Sequence, residues 1–99
     1  RARQRADSGM AISRAERRQA HRDRVVEGFG EKRVDRALDL LELLEFAWHD
    51  CYSQVSPPAA VIEDVLLLSR GDLGQLISAS LLALTDWRDT RVAADAMRP

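Results

Sequence analysis

An all-α fold follows from three features of the chain. Apolar residues recur every three or four positions over long stretches, helix-favouring Leu, Ala, Arg and Glu dominate, and the β-branched and aromatic runs that strands prefer are missing. Ninety-nine residues, 45% of them hydrophobic, suffice for one modest core and not for two. The expected architecture is a small antiparallel helical bundle: two long helices, one short helix between them, and an Arg-rich N-terminal helix or arm. Residues 1–12 are expected to form a flexible basic N-terminal extension and residues 13–99 a single helical domain.

The first helix is expected from about Arg14 to Glu27. Ser13 to Glu16, "SRAE", has capping-box spacing, and Gly28 and Gly30 around Phe29 stop the helix. Its interior holds few large apolar residues, and Arg14/Arg18 and Arg18/Arg22 are like-charge pairs at i,i+4. Such a helix is marginal until something docks on it. The second helix, about Glu31 to Gln54, carries the strongest signal: Val34, Ala37, Leu41, Leu44, Trp48, Cys51 and Val55 follow 3,4 spacing, and Leu38, Leu40, Ala47 and Tyr52 widen the stripe. "SPP" ends it, with Ser56 as a cap and Pro57 or Pro58 in the first turn of a third helix, Ala59 to Ser69. Gly71 stops that helix. Asp72 and Gln75 have capping-box spacing for a fourth, running to about Ala96 with a stripe of Leu73, Leu76, Ile77, Ser80, Leu81, Leu84 and Trp87. Past Trp87 the stripe phase is taken by Arg88, Arg91 and Asp95, so the last turns are expected to leave the core or to meet polar groups there.

The net charge of −1 hides an asymmetry. Arg1 to Arg36 holds eleven basic and six acidic residues, whereas Ala37 to Pro99 holds four basic and ten acidic. A basic arm of this kind binds phosphate or folds back on the protein's own acidic surface. Lys32 is the sole lysine, and so many arginines and alanines match the coding bias of a GC-rich genome. A bacterial source is the expectation, and arginine content alone says little about nucleic acid. The single cysteine, Cys51, excludes an internal disulfide and fits a reducing cytoplasm. The uncharged run from Leu73 to Thr85 is short of the roughly 20 residues a membrane span needs, so no membrane partner is expected. The chain begins with Arg1, while Met10 opens "MAISRAERR"; residues 1–9 are expected to be an upstream extension or the cut end of something longer.

Chemistry looks most concentrated in "WHDCY", Trp48 to Tyr52. At about 100° per residue, however, consecutive positions on a helix cannot converge on one reacting atom. Trp48 faces the apolar stripe, Cys51 and Tyr52 flank it, and His49 and Asp50 turn away. A buried structural cysteine and a surface histidine beside Glu45 are expected. Glu42, Glu45 and His49 share one side of the second helix, and Asp86 and Asp89 lie on the polar face of the fourth, so a metal-dependent helical hydrolase has to be weighed. Its signatures are incomplete. The inward Glu-x-x-His of di-iron bundles is missing. "ELLE", Glu42 to Glu45, supplies only the first half of the E-x-x-E and E-x-x-D pair found in helical nucleotide pyrophosphohydrolases, because Leu66 stands three residues after Glu63. No P-loop, dinucleotide glycine motif or serine nucleophile elbow is present. No catalytic residue, metal ligand or cofactor is expected.

Two surfaces remain for partners. Phe46 and Leu43 on the second helix, and Leu82 on the fourth, fall away from the main stripes. They are expected to be covered by the first helix, through Ile12, Val25, Val26 and Phe29, or by a second copy of the protein. The arm Arg1 to Arg24 carries eight arginines, three acidic residues and no aromatic platform for stacking bases. Arg14, Arg17, Arg18 and Arg22 are its candidate phosphate contacts. The expected function is a non-catalytic helical interaction or assembly module, self-associating through Leu43, Phe46 and Leu82. A nucleic-acid-associated protein binding through the arm is the alternative.

Overall fold

The computed structural model describes residues 13–99, which form four helices and, among them, no strand. The expected extension, residues 1–12, lies outside the described residues. Helix α1 spans Arg14–Phe29, α2 Val34–Tyr52, α3 Ala59–Ser69 and α4 Leu73–Met97.

Local sequence explains most of the boundaries. The Ser13 hydroxyl accepts from the Glu16 amide at 3.2 Å, and Glu16 reaches back to the Ser13 amide at 3.1 Å, so both halves of the capping box are made. Gly30, at φ 82°, closes α1 by donating its N–H to the Val26 carbonyl. Helix α2 stops where Ser53 turns into the left-handed region, and Pro58 precedes α3 as its N-cap. The α3–α4 turn stacks two left-handed residues, Arg70 and Gly71. A Cβ at position 71 would collide with the Gly28 carbonyl oxygen, so this glycine is required by its φ and by the close approach of the end of α1. Asp72 then caps α4, accepting from the Gln75 amide at 2.9 Å.

Helix α4 is broken. Asp86 adopts φ −159° and ψ 100° inside it, and its carboxylate accepts from the Arg88 amide at 3.0 Å. Asp86 thus behaves as an N-cap for a second helical segment. The Tyr52 hydroxyl, at the end of α2, reaches the Ala83 and Leu84 carbonyls at 3.3 and 3.0 Å, beside the broken turn. Thr90 and Ala94, both fully buried, continue the helical spacing of the observed core residues Leu76, Ala79 and Ala83, whereas Arg88, Arg91 and Asp95 continue the phase of Ile77 and Leu81 and are exposed like them.

The core is built by Val25 and Phe29 of α1, Val34, Ala37, Leu38, Leu41, Leu44 and Trp48 of α2, the apolar face of α3, and Leu76, Ala79 and Ala83 of α4. Helix α1 packs on α2, α2 on α4 and α3 on α4. The core face of α4 differs from the expected stripe. Small residues, Ala79 and Ala83, turn inward and let the backbones approach, while Ile77 and Leu81 are turned out. Cys51 is exposed, contrary to the buried role expected for it, because in the last turn of α2 it is the neighbouring Tyr52 that packs against the core and reaches α4.

Candidate contact surface

The Arg-rich face of α1 lies along the acidic face of α2, and the two helices run antiparallel, since Arg17 pairs with Glu45 while Arg22 pairs with Asp35. Arg17 holds Glu45 in a two-pronged contact, Nε at 2.6 Å and Nη2 at 3.4 Å, and that carboxylate is buried to 7% exposure. Arg18 binds Glu42 and Asp39 through one guanidinium nitrogen and approaches Asp35 with another. Hydrogen bonding to Glu42 raises the Arg18 pKa above its ordinary value. Arg22 spans Glu31 and Asp35, and Arg24 meets Glu63 of α3. Arg14 stacks its guanidinium 4.3 Å from the centre of the Phe46 ring. The four arginines considered for phosphate therefore all have partners inside the chain.

The acidic residues weighed as metal ligands are dispersed or engaged. Glu42 and Glu45 belong to Arg18 and Arg17, Asp86 caps the second segment of α4, and His49 is exposed with Nδ1 3.2 Å from the Gln54 carbonyl oxygen. Among the described residues, no three His, Cys, Asp or Glu side chains converge on one point. "WHDCY" likewise serves structure: Trp48 Nε1 donates to the Gln54 side-chain oxygen at 2.9 Å, and the Trp48 and Tyr52 rings lie 4.3 Å apart.

A second polar cluster lies at the far end of α4, where the sequence led to polar contacts of Arg91 and Asp95 but gave no sign of Asp64 as their partner. Asp64 of α3, only 1% exposed, accepts from Arg98 at 2.7 Å, and its other oxygen lies 3.8 Å from Arg91 Nε without a hydrogen bond. Asp95 pairs with both arginines. Hydrogen bonds to Asp64 and then Asp95 raise the pKa of Arg98. Asp64 lies at the phase of the buried residues of α3, and the partners that compensate it come from 27 and 34 positions away in sequence.

An apolar patch also stays uncovered. Leu43 is 61% exposed, Leu81 60% and Ile77 48%, and they share one shallow groove of about 190 Å³ between α2 and α4 with Leu40, Ala47 and Leu84. Phe46, 49% exposed, flanks this face on the side of α1. Of the three expected contact residues, Leu43 and Phe46 are therefore at the surface. Leu82 is half-buried and does not line the groove, because turning Ala79 and Ala83 inward brings Ile77 and Leu81 outward in its place. The pattern signal that identifies Ile77 and Leu81 is the alanine pair itself, which offers a closer-packing face than the larger side chains do.

Among the described residues, no helix is long and apolar enough to cross a membrane. Comparison of the chain with family models, with curated proteins and with solved structures finds no match.

Proposed function

We propose that the chain is a non-catalytic helical assembly module that joins copies of itself through the outer face of α2 and α4. One observation carries this reading: three large aliphatic side chains, Leu43, Ile77 and Leu81, stand about half exposed or more around a single groove. Contiguous apolar surface of this kind is costly to leave in water, and on small soluble domains it marks contact sites more often than chance. The arginine-rich face of α1 supports the same choice, since α2 and α3 already answer Arg17, Arg18, Arg22 and Arg24.

The test is a concentration series of amide spectra by nuclear magnetic resonance. Shifts and broadening confined to residues 40–47 and 77–84 support the reading. Concentration-independent spectra, or changes centred on α1, would reject it.

A further inference from the structure

The contact face carries its own register. Along α2, Arg36, Leu40, Leu43, Ala47 and Asp50 recur at spacings of four, three, four and three, so they form one stripe beside Ile77 and Leu81, with Arg36, Leu43 and Asp50 exposed and Leu40 and Ala47 half-buried between them. The stripe is apolar in the middle and charged at its two ends, basic at Arg36 and acidic at Asp50. Leu43 lies seven residues from each. Arg36 and Asp50 are both exposed, and neither has an ion-pair or hydrogen-bond partner inside the described residues, whereas Arg17, Arg18, Arg22 and Arg24 of α1 and the acids along the α1 side of α2 are paired. They are about 21 Å apart along the helix, too far to meet each other.

We infer that a second copy of this chain docks antiparallel across α2, with Leu43 at the two-fold axis and Arg36 of each copy paired with Asp50 of the other. This inference rests on the assembly reading above and adds the geometry of the contact. A two-fold axis through Leu43 brings position 36 opposite position 50, so one symmetric contact forms two opposite-charge pairs. The same axis sets Leu40 beside Ala47 of the partner, while Ile77 and Leu81 close the side of the seam next to α4 and Phe46 borders the other side. A parallel arrangement in the same register would set Arg36 against Arg36 and Asp50 against Asp50. Like-charge juxtaposition of that kind is a strong discriminator between orientations even where the opposite-charge pair adds little affinity. Both charges are exposed rim positions, so their effect falls on orientation and salt dependence while the leucines carry the burial.

Charge reversal tests this with fold controlled. Arg36→Asp places an acid near the start of α2 and Asp50→Arg places a base near its end, both changes that favour the helix dipole, so weaker association cannot be attributed to a weaker helix. By sedimentation equilibrium at low salt, each single variant should raise the dimer dissociation constant by about tenfold. The double variant should return to within about threefold of the parent, since each reversed residue again meets its opposite. Mixing the two single variants should produce heterodimer in preference to either homodimer. If the double variant is as weak as the two single effects combined, or the mixture shows no preference, the antiparallel register is wrong. Leu43→Asp separates this failure from that of the assembly reading. Dissociation by Leu43→Asp together with indifference to charge reversal removes the register and keeps the contact face. A dimer unaffected by Leu43→Asp, or a parent chain that stays monomeric, removes both.

Discussion

The two long flanks of α2 solve opposite problems. On one side its acids meet the arginines of α1, and a helix with a poor apolar face is held by ion pairs, by Val25 and by Phe29. On the other side, beside α4, the apolar stripe runs past the core and out to the surface at Leu43, Ile77 and Leu81. The first flank is largely answered within the chain, and the second leaves large aliphatic side chains exposed. The difference teaches that an abundance of arginine need not point to an outside partner, since acids of the same chain can answer it, and that the exposed leucines are where the proposed assembly has to be tested.

The largest expected effect lies in the charged seam. Arg17→Ala leaves the Glu45 carboxylate, 7% exposed, without its main counter-charge and should cost about 3 kcal/mol of stability in urea unfolding. Adding Glu45→Leu to Arg17→Met should recover most of that loss, because the cost comes from the orphaned charge and not from the absence of the pair. Arg18→Ala, in a more open part of the seam, should cost about 1 kcal/mol or less, and raising the salt should shrink the difference. A loss at Arg17 no larger than that at Arg18 would mean that Glu45 finds water on rearrangement and that the two ends of the seam are alike.

On the apolar flank the expected stability effects are small and the assembly effects large. Leu43→Asp should change the unfolding free energy of the monomer by no more than about 0.5 kcal/mol, since its side chain is mostly in water. Phe46→Glu should weaken association less than Leu43→Asp does, because Arg14 already covers one face of that ring. Loss of helicity by circular dichroism in either variant would place the residue in the core and end its role as a contact.

Much of the fold was legible from local chemistry. Ser13 with Glu16, and Asp72 before Gln75, marked two helix starts through groups within three residues of one another. The span of α3 was also legible, from Pro58 and Gly71, but not its caps: Pro58 and not Ser56 stands at the N-cap, without a side-chain hydrogen bond, and Arg70 precedes Gly71 as the C-cap. The break at Asp86 was less legible. Thr90 and Ala94 keep the phase of Leu76, Ala79 and Ala83, so the apolar pattern runs through the break without a mark, and the break's one local sign is Asp86 itself, which caps the amide of Arg88. Two errors differ in cause. Leu81 belongs to the larger of two candidate stripes on α4, and the smaller one, Ala79 and Ala83, is the one that packs, while Cys51 continues the spacing of α2 into its last turn, where Tyr52 and not Cys51 meets the core. Asp64 shows the complementary limit: its position on α3 is readable, whereas the return of Arg91 and Arg98 depends on the bend of α4.

The central claim, that the outer face of α2 and α4 joins copies of this chain, is tested most directly by solution mass. Light scattering at micromolar concentration and moderate salt should give twice the monomer mass for the parent chain, and the monomer mass for Leu43→Asp with its helical spectrum intact. A parent chain of monomer mass, or a dimer that Leu43→Asp does not disturb, would contradict it.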